Sequence, residues 1–277
     1  MKLAKEKRLV CFTVIMTILA FVITGCPQNQ PPEIPPESSL VMDFSDFDNS
    51  NSQKTAPGGD AQTDVTATKL NWGFAATNVF FWNVILTVNL VIPVAAFHES
   101  FNHTPVQQED GTWVWPYNFT VWGVLYSAEL HANTDAGGDT TWEMYISKEG
   151  GYTDFLWFSG VSNLPLTEGT WTLNYDPNDS TPYIGVEWHR DLSVGTADIK
   201  YTNIIPGGSE NGGYISYGIT TETPYDAFYD IYNKGQDNHT DIEWNTTTLE
   251  GHVKDPRIFL DNDWHCWNSD LEDIICP

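Results

Sequence analysis

The chain has little positive charge. Its 277 residues hold 12 Lys and Arg against 37 Asp and Glu, a formal net charge of −25. Such a surface repels phosphate backbones and anionic headgroups, which excludes nucleic acid as a partner. The sequence also lacks a phosphate-cradling Gly-Lys-Thr or Gly-Lys-Ser, a Gly-x-Ser-x-Gly nucleophile elbow and a His-Glu-x-x-His pair. Nucleotide cofactors, serine-hydrolase chemistry of that type and helix-borne zinc catalysis therefore have no signature here. No cofactor is expected. Cysteine is scarce, at Cys11, Cys26, Cys266 and Cys276. No second close Cys/His pair completes a zinc set.

The N-terminus is one of the few basic places. Lys2, Lys5, Lys7 and Arg8 precede an apolar run from Leu9 to Ile23, the order of a secretory signal. The run closes on Val22-Ile23-Thr24-Gly25-Cys26 rather than on an Ala-x-Ala site. This stretch resembles the lipobox of bacterial lipoproteins, and the resemblance covers residues 1–26. It implies removal of residues 1–25, a diacylglyceryl group on the thiol of Cys26, two or three acyl chains such as palmitate, and a membrane location outside the cytoplasm. No Asp follows the Cys, which in that class leans toward the outer rather than the inner membrane. Losing four basic residues and Glu6 takes the net charge from −25 to −28. The partner implied is the lipid bilayer, reached through the acyl anchor.

Residues 26–66 read as a lipidated N-terminus and flexible tether. Pro31-Pro32 and Pro35-Pro36 favour extended chain, and Asn49 to Thr66 is too polar to bury itself. Ser38 to Phe47 is more apolar, and it is expected to dock on the domain as an added edge strand. Residues 67–277 form a single globular domain.

Aromatic residues are abundant, at 14% with 12 Trp and 12 Tyr. That density suits strands. The exception is Trp72 to Phe97, a charge-free run predicted as a helix over about 72–101, buried on all sides and broken or kinked near Pro93. By length it is also compatible with a bilayer span. From about 112 to 255 the period is two. Phe119 to Tyr126 reads as part of one long strand, and turns such as Asp135-Ala136-Gly137-Gly138 and Pro206-Gly207-Gly208 separate the later strands. The expectation is a mainly β (α+β) chain, an antiparallel meander forming a curved sheet or incomplete barrel around one N-terminal hydrophobic helix. A two-sheet β-sandwich is the alternative. The acidic segment 256–277 is pinned by a predicted Cys266–Cys276 disulfide, which an oxidising compartment preserves.

Candidate chemistry is sparse. Glu143, Glu187 and Glu243 each lie mid-strand beside a Trp, the placement of an acid in an aromatic cleft and equally that of a solvent-facing strand residue. The seven His show no ligand spacing. Asp176 with Asp179 and Asp261 with Asp263 offer oxygen ligands without an EF-hand loop, so no metal is expected. The reading that results is a non-enzymatic binding protein for a hydrophobic ligand or protein partner. A glycan-binding or glycan-hydrolysing protein is the first alternative, and a structural surface protein the second. Nothing in the sequence sets an oligomeric state.

Overall fold

The computed structural model describes residues 30–47 and 68–277. The lipobox-like stretch with Cys26, along with Cys11 and residues 48–67, lies outside the described residues.

Fourteen strands form one antiparallel sheet in strict sequence order. They are β1 (Val106–Gln107), β2 (Trp113–Val121), β3 (Val124–Thr134), β4 (Thr140–Lys148), β5 (Phe155–Ser162), β6 (Glu168–Asp176) and β7 (Asp179–Asp191). Then come β8 (Thr196–Asn203), β9 (Tyr214–Ile219), β10 (Ala227–Asn233), β11 (Asn238–Trp244), β12 (Gly251–Lys254), β13 (His265–Trp267) and β14 (Asp273–Ile274). The sheet does not close, since β1 and β14 remain its two edges. One sheet rather than two rules out the sandwich. Register shifts at Met144/Tyr145 and near Asn174 bend the ribbon, as bulges do.

One face of the ribbon is aromatic and dry. Trp115, Trp142, Trp171, Trp188, Tyr229 and Trp244 are all buried, with Val, Ile and Leu between them. Small residues make room for the indoles. A Cβ at Gly160 would lie 2.4 Å from the Trp171 ring, so only glycine fits under it. The other face carries the alternate polar residues.

Two strand readings change. The expected long strand is a hairpin, because Trp122 (φ 49°) and Gly123 (φ 79°) turn the chain between β2 and β3. Two successive positive φ values make the primed turn that suits strand twist, but a Trp in the first position hides the usual Asn-Gly signal. The sheet also extends past residue 255, through β13 and β14 in the acidic C-terminal segment. The disulfide Cys266–Cys276 is present there, with its Cα atoms 5.2 Å apart.

The helix α1 spans Leu70–Ser100 and runs on through Pro93. The missing Pro93 N–H would have bonded the carbonyl of Asn89, so the helix continues with one backbone hydrogen bond fewer. Its N-terminus is capped from across the sequence. The Asp273 carboxylate accepts hydrogen bonds from the Leu70 N–H at 3.0 Å, the Asn71 N–H at 2.9 Å and the Thr68 hydroxyl. Its C-terminal half meets the opposite end of the sheet, where the Tyr117 hydroxyl donates to the Ala96 carbonyl at 2.6 Å. The helix thus touches both ends of the open ribbon.

Burial on all sides is not what α1 shows. Trp72, Ala75, Val79, Leu86, Leu90, Ala96 and Phe97 are buried, whereas Phe80, Phe81, Val84 and Val88 are 43–65% exposed. The sheet is open, so it covers one side of the helix and has no second layer for the other.

Ser38 to Phe47 docks as expected, but inside the ribbon rather than at its edge, and the docked segment reaches back to Pro31, which had read as tether. It forms two 3₁₀ turns, Glu37–Ser39 and Ser45–Phe47. Leu40 is fully buried, and Met42 and Phe47 nearly so. Its carbonyls are held by the sheet: the Tyr201 hydroxyl donates to Leu40, and that of Tyr229 to Asp43. Prolines at 31, 32, 35 and 36 suit such a crossing better than a ladder, since they supply no N–H.

Candidate functional site

Sheet curvature and an uncovered helix leave a cavity between them, of about 560 Å³. Its apolar wall is built from α1, where Phe81, Trp82, Ile85 and Leu86 fall one turn apart on adjacent rows. Opposite stand Tyr183 and Ile184 from β7, Tyr201 from β8 and Ile231 from β10. Strand alternation turns Ile184, Tyr201 and Ile231 inward, and Tyr183 joins them because the β6–β7 register shifts there, from Leu173 opposite Ile184 to Asn174 opposite Pro182. Burial pushes the Tyr183 and Tyr201 hydroxyls well above the ordinary phenol value, so both stay protonated. The lip is apolar as well, since Phe81 is 63% and Ile258 57% exposed.

One end of the cavity is polar. Asn203, Asn233 and Asn238 end β8, end β10 and begin β11, and Glu210 and Gln236 come from the connections after β8 and β10. Asp255 is there too, only 3% exposed, but its oxygens are occupied. It accepts from Asn238 Nδ2 at 3.0 Å, Thr240 Oγ1 at 2.6 Å, and the Arg257 and Ile258 N–H groups at 3.0 and 3.1 Å. It therefore caps the short helix Pro256–Phe259 and is not free to act on a ligand. The Asp255-Pro256 pair is a recognisable helix-start signature that sequence reading passed over. Glu210 holds the Gly235 N–H at 3.1 Å.

The three glutamates singled out by sequence lie elsewhere. Glu143 on β4, Glu187 on β7 and Glu243 on β11 all take the outward, polar register. They are three and four strands apart. At about 4.8 Å per strand that separates neighbours in the series by roughly 14 and 19 Å, beyond the ~9.5 Å of a glycosidase carboxylate pair. Each also has local company. Glu143 accepts from the Tyr145 hydroxyl at 3.1 Å, and Glu187 faces Lys200 across the ladder. Glu243 is 2.8 Å from His252 Nε2, and that hydrogen bond chiefly holds its carboxyl below the usual value. The His252 ring stacks on Trp264 at 3.7 Å. A carboxyl lowered by an accepted hydrogen bond is the opposite of a general acid.

All seven histidines sit 2.8–3.1 Å from a carboxylate oxygen. In a chain this acidic, pairing is the default. Asp230, His239 and Asp241 bring their ligand atoms within 4.8 Å on the outer face. Each already has a protein partner: Tyr214 and His239 hold Asp230, and Lys254 holds Asp241 at 2.8 Å. Asp176, Asp179 and Asp261 each close a turn by accepting the N–H two residues on. No family model matches the chain, and no curated protein or solved structure matches it either.

Proposed function

We propose that this chain is a membrane-anchored bacterial lipoprotein, attached through Cys26 outside the cytoplasm at the outer rather than the inner membrane, whose domain binds a hydrophobic ligand without turning it over. The observation that carries the binding reading is the cavity beside α1. Its volume of about 560 Å³ lies in the range of small-molecule sites, and it joins an apolar wall to a few convergent polar groups. Asn203 and Asn233 accept the Ile205 and Gln236 N–H groups and Asn238 Nδ2 donates to Asp255, so the Asn203 and Asn233 amide NH₂ groups, the Asn238 carbonyl and the Gln236 side chain are what suit a ligand with an apolar body and an uncharged, hydrogen-bonding head. Glu210 at the same end disfavours a free fatty acid, whose carboxylate it would repel. The wide separation of Glu143, Glu187 and Glu243 weighs against glycan hydrolysis.

The test uses the mature chain and N-phenylnaphthylamine, an uncharged apolar fluorophore. Saturable enhancement at one site per chain supports the reading, and Ile85→Trp, which fills the cavity, should weaken it about tenfold. Lipid mass spectrometry of the purified protein supplies the native occupant. A chain that carries no lipid and leaves the fluorophore dark is a structural protein instead.

A further inference from the structure

The outward face of α1 is an apolar surface that nothing among the described residues covers. Thr77, Phe80, Phe81, Val84, Thr87 and Val88 recur at helical spacing along it. No Asp, Glu, Lys or Arg occurs from Leu70 to Phe97, in a chain of net charge −25. The polar side chains on this face turn their donors back on the helix. Thr77 Oγ1 donates to the Gly73 carbonyl at 2.7 Å, Thr87 Oγ1 to Asn83 Oδ1 at 2.8 Å, and Asn89 Nδ2 to the Ile85 carbonyl at 2.6 Å. Such self-satisfied donors cost little where water is absent.

One end of the sheet carries exposed apolar side chains of its own. Hairpin tips alternate between the two ends of the meander, so the turns after β2, β10 and β12 share one end. The first carries Trp122, 83% exposed, and the third Ile258 and Leu260, 57% and 87% exposed. That end is also where Phe81 meets Ile258 and Gln236 around the cavity.

We infer that this face rests on the bilayer that holds Cys26, and the inference rests on the lipoprotein reading above. Chain length decides the occupant. The domain takes in Pro31, five residues after Cys26 in the sequence, a reach of no more than about 18 Å at full extension. The helix alone is about 46 Å long at 1.5 Å per residue. A leash that short cannot lift the domain clear of the membrane. It also arrives on the right side. Glu37, six residues on, contacts His98 at 2.8 Å, and His98 lies eighteen residues, five full turns, from Phe80 on the same face of α1. The occupant is therefore the interfacial layer of the anchoring bilayer, with Phe80, Val84 and Val88 entering it and the lip of the cavity beside it. A hydrophobic ligand then passes between membrane and cavity without crossing water.

The experiment places an environment-sensitive fluorophore on Val84→Cys, Val88→Cys or, as a control on the polar outer face of β6, Thr170→Cys. The acylated mature chain is bound to phosphatidylethanolamine vesicles containing nitroxide-labelled lipid. Emission at 84 and 88 should shift to the blue and be quenched, and emission at 170 should not. Vesicle-bound chain with 84 and 88 still in water sinks the docking face and leaves the lipoprotein reading standing. An unacylated Cys26 sinks the lipoprotein reading, and the face is then read on the Cys26→Ser chain with added vesicles. There Phe80→Ser should lower partition about tenfold, and no change on that substitution rejects the face. A blue shift that needs no vesicles and grows with protein concentration assigns the face to a second copy and overturns the proposal.

Discussion

Two apolar segments precede the sheet, and they meet opposite fates. Pro31 to Phe47 is short, rich in proline and interrupted by acids, yet Leu40 is completely buried. Helix α1 is the longest apolar run in the described chain, yet Phe80, Phe81 and Val88 are more than half exposed. Apolar content alone does not rank them. What separates them is hydrogen bonding and geometry. The tail's two 3₁₀ turns satisfy only the Pro36, Glu37 and Phe44 carbonyls, so the rest of it lies where Tyr201, Tyr229 and Trp244 reach it from the sheet floor. The helix satisfies its own backbone and needs only one side against the ribbon. Among the described residues its other side is left without a layer.

Four measurements sharpen or break this contrast. The largest effect is expected for Leu40→Ala, which should lower unfolding stability by about 2–5 kcal/mol in urea titration, as for other cavity-forming core changes. A loss under about 0.5 kcal/mol would mean that the tail is a passenger. Next comes Cys266→Ser. It opens a loop of 10 residues and should cost about 2–3 kcal/mol, matched by reduction of the wild type. That bond holds β13 and β14, from which Asp273 caps α1. Tyr201→Phe should cost about 1–2 kcal/mol, because the Leu40 carbonyl stays buried without a donor. Hydrogen exchange should quicken through residues 38–47 and not along α1.

The smallest change is Val84→Ser with Val88→Ser. On the exposed side it should move stability in detergent-free buffer by no more than about 0.5 kcal/mol. A large loss would show that this face is packed after all.

Acid should act on the same contrast. Burial raises the Asp273 carboxyl, but hydrogen bonds from Thr68, Asn71 and Leu70 outweigh it and leave it below the ordinary 3.8. Glu243 is held below 4.5, chiefly by His252. A depressed carboxyl contributes stability that is present above its unfolded value and lost as pH falls through its folded one. Melting temperature should therefore decline below about pH 4, and Asp273→Asn should flatten the part of the decline that belongs to the start of α1.

Strand periodicity, glycine turns and one charge-free run were enough to read an antiparallel meander with a single helix, and the two late cysteines were enough to read their bond. Those features depend on neighbours in sequence or on a compartment rule, so they show in the string of letters. The Trp122-Gly123 hairpin was hidden because its turn uses an aromatic where asparagine is usual. Tertiary structure alone decided three things: that Asp273 caps a helix some 200 residues before it, that the proline-rich tail lies inside the ribbon, and that α1 is covered on one side only. Each turns on which distant group fills a vacant hydrogen bond or a missing layer, and the spacing of residues along one chain carries no record of that.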